Sequence, residues 1–476
     1  MPRTRFCLLL GFISVLSASA ASAQAPPAAG AVDFQALAQE ATGWLAGLVR
    51  VNTVNPPGNE LAGAHYLEAI LQKEGIPSEI IETAPGRGAL VARLNSGPFP
   101  DPSHALLLLG HMDVVGVDAS KWTQDPFGAA QQDGFLWGRG TLDDKGPLIA
   151  NLAAFIQLKR SGVRLGRDVI FVADGDEEQG GDNGIRNLAQ KHWDKIAAAF
   201  SINEGGRTVL KDGKPWYVGI QASEKVSVNY SVIASGTSGH ASVPLKENAV
   251  VHLSAAVEKL GNWETPIKLT AATKRYFDGL AQIEDPELAK WMRVLDTPER
   301  QDHAARILAA ANPVWSAMLR DTVSPTILQA GVRANVIPSE ARATLNVRLI
   351  PGELPGEFAD AMMKVVNDPQ VRIEMESLNS RPSPPSDIDT DFYRAIVKAA
   401  HTVFPGVPVL PMMSTGFTDS AELRMRNVTA YGLMPFPLTE DEVARMHADN
   451  ERLPLASIRP GIELIYRAVE DFVRAP

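Results

Sequence analysis

The sequence predicts an α/β fold, a mostly parallel sheet with helices on both faces, broken by an inserted α+β lid domain. Three observations predict it. Residues 106–109 are four leucines with no polar alternation, as in a strand buried on both faces. Strand-like and helix-like segments then alternate through residue 203, the rhythm of a parallel sheet. From residue 224 the strands become half-polar and flank only two helices, and near residue 381 the first pattern resumes.

The elements follow in order. Residues 1–23, MPRTRFCLLLGFISVLSASAASA, carry two arginines, an apolar stretch too short to span a bilayer, and an Ala-Ser-Ala ending. This is the pattern of a secretory signal peptide cut after Ala23, so the product is expected to be exported, periplasmic or extracellular. Cys7, the sole cysteine, lies inside it, which leaves the mature chain no disulfide and makes its core the source of stability. A proline-containing linker follows, then a helix with Phe34, Leu37, Ala38, Ala41, Leu45 and Leu48 on one face. The strand ALLLLG (105–110), a helix over PLIANLAAFIQLKRSG, the strand DVIFVAD (168–174), a helix over GIRNLAQKHWDKI and the strand AAAFSIN (197–203) continue the main domain.

At 476 residues the chain is too long for one core and suggests two domains. Residues 32–223 make the first part of the main domain and 381–476 its second part. Residues 224–380 form the inserted domain: EKVSVNYSVIAS alternates like a strand with one wet face, NAVVHLSAAVEKLGN and EFADAMMKVVND are helices, and NVIPSEARATLNVRLIP and VRIEMES are strands. Within it, 264–320 is a polar, helix-prone insertion with no role legible from its residues. The formal net charge is −10, which argues against nucleic acid and against anionic lipid, and no apolar run after the leader reaches membrane length.

Open α/β sheets bind ligands outside the carboxyl ends of their strands, so polar groups there matter most. The leucine strand delivers His111 and Asp113, VIFVADG delivers Asp176, Glu177 and Glu178, and AAFSIN delivers Glu204. The glycine-punctuated LWGRGTLDDKG adds Asp143 and Asp144, and VARMHADNERLP adds His447. Taken singly, His-x-Asp, DEE and DDKG read as ordinary loops or a helix start. Together they bring two imidazoles and several carboxylates to one crevice, which costs desolvation and repulsion unless cations neutralise them. Mixed nitrogen and oxygen donors suit zinc better than calcium or magnesium, and the surplus of acids favours two ions bridged by one of them. Cobalt or manganese would fit the same ligands. Asp113 is placed to orient His111. If Glu177 and Glu178 lie on an extended chain, their side chains point opposite ways, so one ligates and the other is free as a base.

With these residues in view, GHMDVV, W-x-x-DPF, GRGTLDDKG, DGDEEQGG, SGHASVP, NVIP and MHADNERLP resemble the dizinc metallopeptidase family of carboxypeptidase G-type enzymes, aminoacylase, succinyl-diaminopimelate desuccinylase and carboxypeptidase S, with the closest likeness to the carboxypeptidase S branch. The resemblance runs from about Leu48 to the end. It implies that Asp143 bridges two zinc ions, with His111 and Glu204 completing one and Glu178 and His447 the other. It implies Glu177 as general base, Asp113 behind His111, a cis bond after Asp143, and His240 reaching over the site to the oxyanion. It assigns substrate contacts to Asn335, Arg348, Thr415 and Gly416, with Arg348 on a free carboxylate. The loop MSTGFTDSAEL departs from the family's Gly-Gly-Thr-Asp form at Met413, Ser414 and Phe417.

The expected activity is hydrolysis, by a metal-activated water, of an amide in a small peptide or N-acyl amino acid with a free carboxylate. A dipeptidase or aminopeptidase reading a free amine, and a non-catalytic binding protein, are the alternatives. The first needs an acidic pocket residue facing the substrate. The second has no use for Glu177. In several members of the family the inserted domains pair into a homodimer that lends the histidine across, and 264–320 bears on whether that pairing forms here.

Overall fold

The leucine strand, Leu106–His111, is buried along its whole length, as its composition predicts. A computed structural model describes residues 32–98 and 101–475. The leader and most of the linker lie outside the described residues. Among the described residues no helix is long and apolar enough to cross a membrane.

Leu106–His111 pairs in parallel with Val169–Asp174 on one side and Phe200–Lys211 on the other, with Leu106 level with both Val169 and Phe200. That register sets the carboxyl ends of the first two strands beside the Glu204 stretch of the third, which runs on to Lys211. The full sheet has eight strands, ordered Ser78–Ala84, Arg87–Leu94, Val169–Asp174, Leu106–His111, Phe200–Lys211, Thr429–Leu438, Lys214–Glu224 and Val409–Ser414. Thr429–Leu438 is thus inserted between the two arms of a hairpin formed much earlier in the chain, 200–211 and 214–224, whose far ends still pair. Leu107, Leu109, Ile170 and Val172 pack on one face with Ile185, Leu188 and Leu423. On the other, Phe155 of helix Lys145–Ser161 meets Phe171 with ring centroids 5.8 Å apart. All six apolar positions read on the first helix, Phe34–Val49, are buried.

The inserted domain is a second, antiparallel sheet, ordered Thr322–Ala330, Glu340–Leu349, Val226–Ser235 and Val371–Leu378. Strict alternation along Glu340–Leu349 puts Ala341, Ala343, Leu345, Val347 and Leu349 under helices Ala249–Gly261 and Pro355–Val366. The polar insertion forms four helices, Ala271–Leu280, Pro286–Met292, Gln301–Ala311 and Pro313–Leu319. In chain order they lie within the inserted domain. In space Tyr276, Phe277, Leu280 and Trp315 share a core with Tyr217, Leu410 and Met413 of the main sheet. The chain therefore passes between the two sheets four times: at Glu224–Val226, after Gly261, at Leu319–Thr322, and between Leu378 and Ser386.

Candidate metal centre

These neighbouring strand segments bring the predicted acids and imidazoles together. His111 closes its strand, and its Nδ1 lies 3.0 Å from the Asp113 backbone oxygen and 3.4 Å from the Asp113 carboxylate. A carbonyl only accepts, so Nδ1 carries a proton, which leaves Nε2 as the nitrogen that could ligate a metal. Nε2 sits 3.1 Å from Asp143 Oδ1 and 3.9 Å from Glu204 Oε1. Across the site His447 Nε2 lies 3.0 Å from Asp143 Oδ2 and 3.1 Å from Glu178 Oε1. Asp143 therefore turns one oxygen to each imidazole, the geometry of a bridging ligand. The peptide bond from Asp143 to Asp144 is cis.

Donor atoms of His111, Glu177 and Glu204 lie within 4.8 Å of one another, as do those of Asp143, Glu178 and His447. Glu177 and Glu178 occupy a 3-10 turn, Glu177–Gln179, rather than an extended segment. Their separation into two groups comes from that turn and not from strand alternation. Asp113 does more than face His111: its Oδ1 accepts the amide of Glu177 and its Oδ2 that of Glu178, both at 3.2 Å, and Asn55 donates to it at 2.9 Å. Asn55 also donates to Asp176, which is paired with Arg87. Backbone room is tight as well, since a Cβ on Gly432 would stand 2.2 Å from the Glu204 carbonyl oxygen.

The electrostatics describe a site short of positive charge. Burial, then neighbouring Glu204, pushes the Glu177 carboxyl well above its ordinary range; burial and Asp143 do the same to Glu204. Burial opposes ionisation of Asp143 too, but the two imidazoles hold it well below the usual carboxylate range. Hydrogen bonds to Asp143 and Glu178 raise His447 to about 10. Two imidazoles and four carboxylates fall into the groups His111, Glu177, Glu204 and Asp143, Glu178, His447, with Asp143 also 3.1 Å from His111, and such a set fits two divalent ions with mixed nitrogen and oxygen ligands.

These residues open onto a cleft of about 540 Å³. On the side of strands Lys214–Glu224 and Val409–Ser414 it is lined by Arg348, Ser414, Gly416, Phe417 and Thr418. Arg348 is held by Asn346 Oδ1 at 3.0 Å and lies over the Phe417 ring, and among the described residues no carboxylate pairs with it. On the side of Phe200–Lys211 and Thr429–Leu438 the lining is Val115, Arg207, Met434, Val443 and Met446. Thr415 stands between two lining residues without being one. His240 and Asn335 lie elsewhere, both exposed, at the short pairing of Gly239–His240 with Val336–Ile337, where His240 Nδ1 meets Ser242 Oγ at 2.7 Å. Sequence reasoning missed Asn55, the apolar wall and the grip of Asp113 on the Glu177 turn. Of these, only Asp113, Val115 and Met446 stand near a candidate ligand in the sequence; Asn55 reaches Asp113 only through folding.

A model of peptidase family M20/M25/M40 matches residues 107–471. The chain is 30% identical over 376 residues to the probable carboxypeptidase S-like 2 of Dictyostelium discoideum, covering 77% of this chain and 71% of the relative. It is 30% identical over 379 residues to the human N-fatty-acyl-amino acid synthase/hydrolase PM20D1, covering 78% and 75%. Among solved structures, the M20 family metallo-carboxypeptidase Sso-CP2 of Sulfolobus solfataricus aligns with a TM-score of 0.69 at 20% identity, over 91% of this chain and 99% of that one.

Proposed function

The chain belongs to peptidase family M20/M25/M40, as a metallohydrolase of peptides or N-acyl amino acids, and from that premise we propose that it is an exported dizinc amidohydrolase of N-acyl amino acids with an apolar acyl group. The observation that carries the reading is the bridging pose of Asp143 between His111 and His447. His111, Asp143 and Glu204 would hold one ion and Asp143, Glu178 and His447 the other. The pair would supply Lewis acidity to the amide carbonyl and to the attacking water.

The chain's own groups do the rest. Arg348, half-buried and free of any acid, offers its guanidinium to the substrate carboxylate. Val115, Met434, Val443 and Met446, which line the cleft together with Arg207, offer apolar contact to the acyl chain. Glu177 takes a proton from water and delivers it to the leaving amine. The acids lining the cleft are Asp143, Glu177, Glu178 and Glu204, all engaged in this scheme. A free substrate amine thus finds no partner, which weighs against an aminopeptidase. His240 and Asn335 join the substrate only if the lid moves toward the cleft.

Strand Thr322–Ala330 is an exposed sheet edge carrying Ile327 and Leu328, 51% and 65% exposed, and this supports a homodimer through the lid. The test of function is mass-spectrometric product analysis of zinc-loaded protein on N-acyl amino acids of increasing chain length and on dipeptides, with Glu177→Gln as blank. Release of the amino acid from long-chain substrates, absent in the blank, is the expected result. Cleavage of dipeptides alone would overturn the acyl reading.

A further inference from the structure

Two residues of the motifs read from the sequence, Arg139 and Glu451, take no part in the scheme above, yet both are buried, at 2% and 0% exposure. Arg139 Nη1 donates to Glu451 Oε2 at 2.7 Å, and the same oxygen accepts the Gly140 amide at 3.1 Å. Glu451 Oε1 accepts the amides of Leu142 at 2.7 Å and Asp143 at 3.3 Å. Arg139 Nη2 reaches the His447 backbone carbonyl at 3.4 Å. One ion pair thus holds both turns that carry ligands of the same group.

The surroundings make a clasp of it. Phe135–Trp137 pairs with Arg452–Pro454, Gly138 donates to the Glu451 carbonyl at 3.0 Å, and the Thr123 amide donates to Asn450 Oδ1 at 2.6 Å. Trp122 lies under the Arg139 guanidinium, 5.3 Å from ring centroid to Cζ. His447 and Asn450 both sit at positive φ, 61° and 62°, where a side-chain-bearing residue stays only if its neighbours hold it. The His447 side chain itself is 51% exposed, so packing of the ring does not fix its place.

We propose that Arg139 and Glu451 are positioning residues that preset the spacing of Asp143 and His447, so that the ion shared with Glu178 meets ligands already in place. The inference rests on the two-ion reading of the site. Its test is titration of the metal-free chain with Co²⁺ alone, followed by calorimetry and visible absorption, in the wild type, His447→Ala, Glu451→Gln and Asp168→Asn. His447→Ala identifies the equivalent that uses His447. Asp168, buried and paired with Arg93 at the amino-terminal end of the strands, controls for loss of a buried charge away from the site. Glu451→Gln is expected to weaken the His447 equivalent by about 10–100-fold, the range for groups that orient metal ligands, and to leave the other near wild type.

Equal weakening of both equivalents, matched by Asp168→Asn, would reduce the pair to a structural role and overturn the inference. So would a folded Glu451→Gln with both affinities intact. If that variant does not fold, Arg139→Met/Glu451→Met, which leaves neither charge unpaired, is read by the same criteria. Fewer than two Co²⁺ bound by the wild type would instead overturn the two-ion reading itself, and this inference with it.

Discussion

At the scale of residues, the centre depends on which atom of each group faces which. Glu177 touches no imidazole at hydrogen-bond distance, while Glu178 touches His447 at 3.1 Å. Glu177→Gln should therefore cut kcat by about 10²–10⁴-fold, the usual worth of a general base, with two metals per chain retained by elemental analysis. Loss of metal along with activity would make Glu177 a ligand instead. Protonation has a definite sign in the metal-free protein. His447 is raised from 6.5 to about 10, so its contribution to stability is whole below pH 6.5 and disappears as pH climbs through 10. Glu177 and Glu204, also raised, keep protons when folded and penalise the fold as pH rises above 4.5. Chelated wild type should lose its melting-temperature advantage over chelated His447→Ala between pH 6.5 and 10; an advantage that grows across that window would contradict the His447 shift. His111, Glu178 and Glu204 stand out in the sequence as polar residues that follow or interrupt apolar strand segments, whereas Asp143 and His447, in polar loops, stand out only by their motifs. The second task of Asp113 was not legible, since its partners at 177 and 178 meet it only through folding.

At the scale of elements, apolar periodicity located the buried strands and the first helix, and failed where the backbone left regular geometry. The 3-10 turn at Glu177–Gln179 follows Asp176 at φ 67°, a local reversal that no hydrophobic pattern announces. Strand Thr322–Ala330 escaped notice because a mostly exposed edge strand has no alternation to read. Gly432 matters through its neighbour: Gly432→Ala should displace the Glu204 backbone, cost about 1–3 kcal/mol as overpacking, and lower metal affinity together with Tm. Stability loss with unchanged metal binding would show that Glu204 is placed by its side chain alone. The helices of 264–320 are held by their shared core, so Phe277→Ala, at a 1% exposed ring, should cost about 3–5 kcal/mol in chemical denaturation.

At the scale of the whole molecule, a separate antiparallel sheet beside the mostly parallel one was legible from the half-polar strands that interrupt the apolar ones. Where the 264–320 helices would settle was not, because their apolar stripes fit any complementary face. They chose the main sheet, and the cleft wall carrying Arg348 is attached to that sheet through four strands of chain. The proposed role of Arg348 as a carboxylate anchor predicts that Arg348→Ala lowers kcat/KM by about 10–100-fold, mainly through KM, in line with ~1.5–3 kcal/mol for a hydrogen bond to a charged group. A fall confined to kcat would assign the residue to the chemical step.

The position of Thr429–Leu438 between strands 200–211 and 214–224 also orders events during synthesis. Until the ribosome has made this strand and Val409–Ser414 before it, the arms of the earlier hairpin lack the strand that fills the space between them and the helices of 264–320 lack Leu410 and Met413 from their core. The antiparallel sheet and its core are complete by Leu378, whereas the main sheet cannot close before residues 409–438 are made. Until then the unfilled main sheet is the exposed intermediate, the species on which a holdase would act.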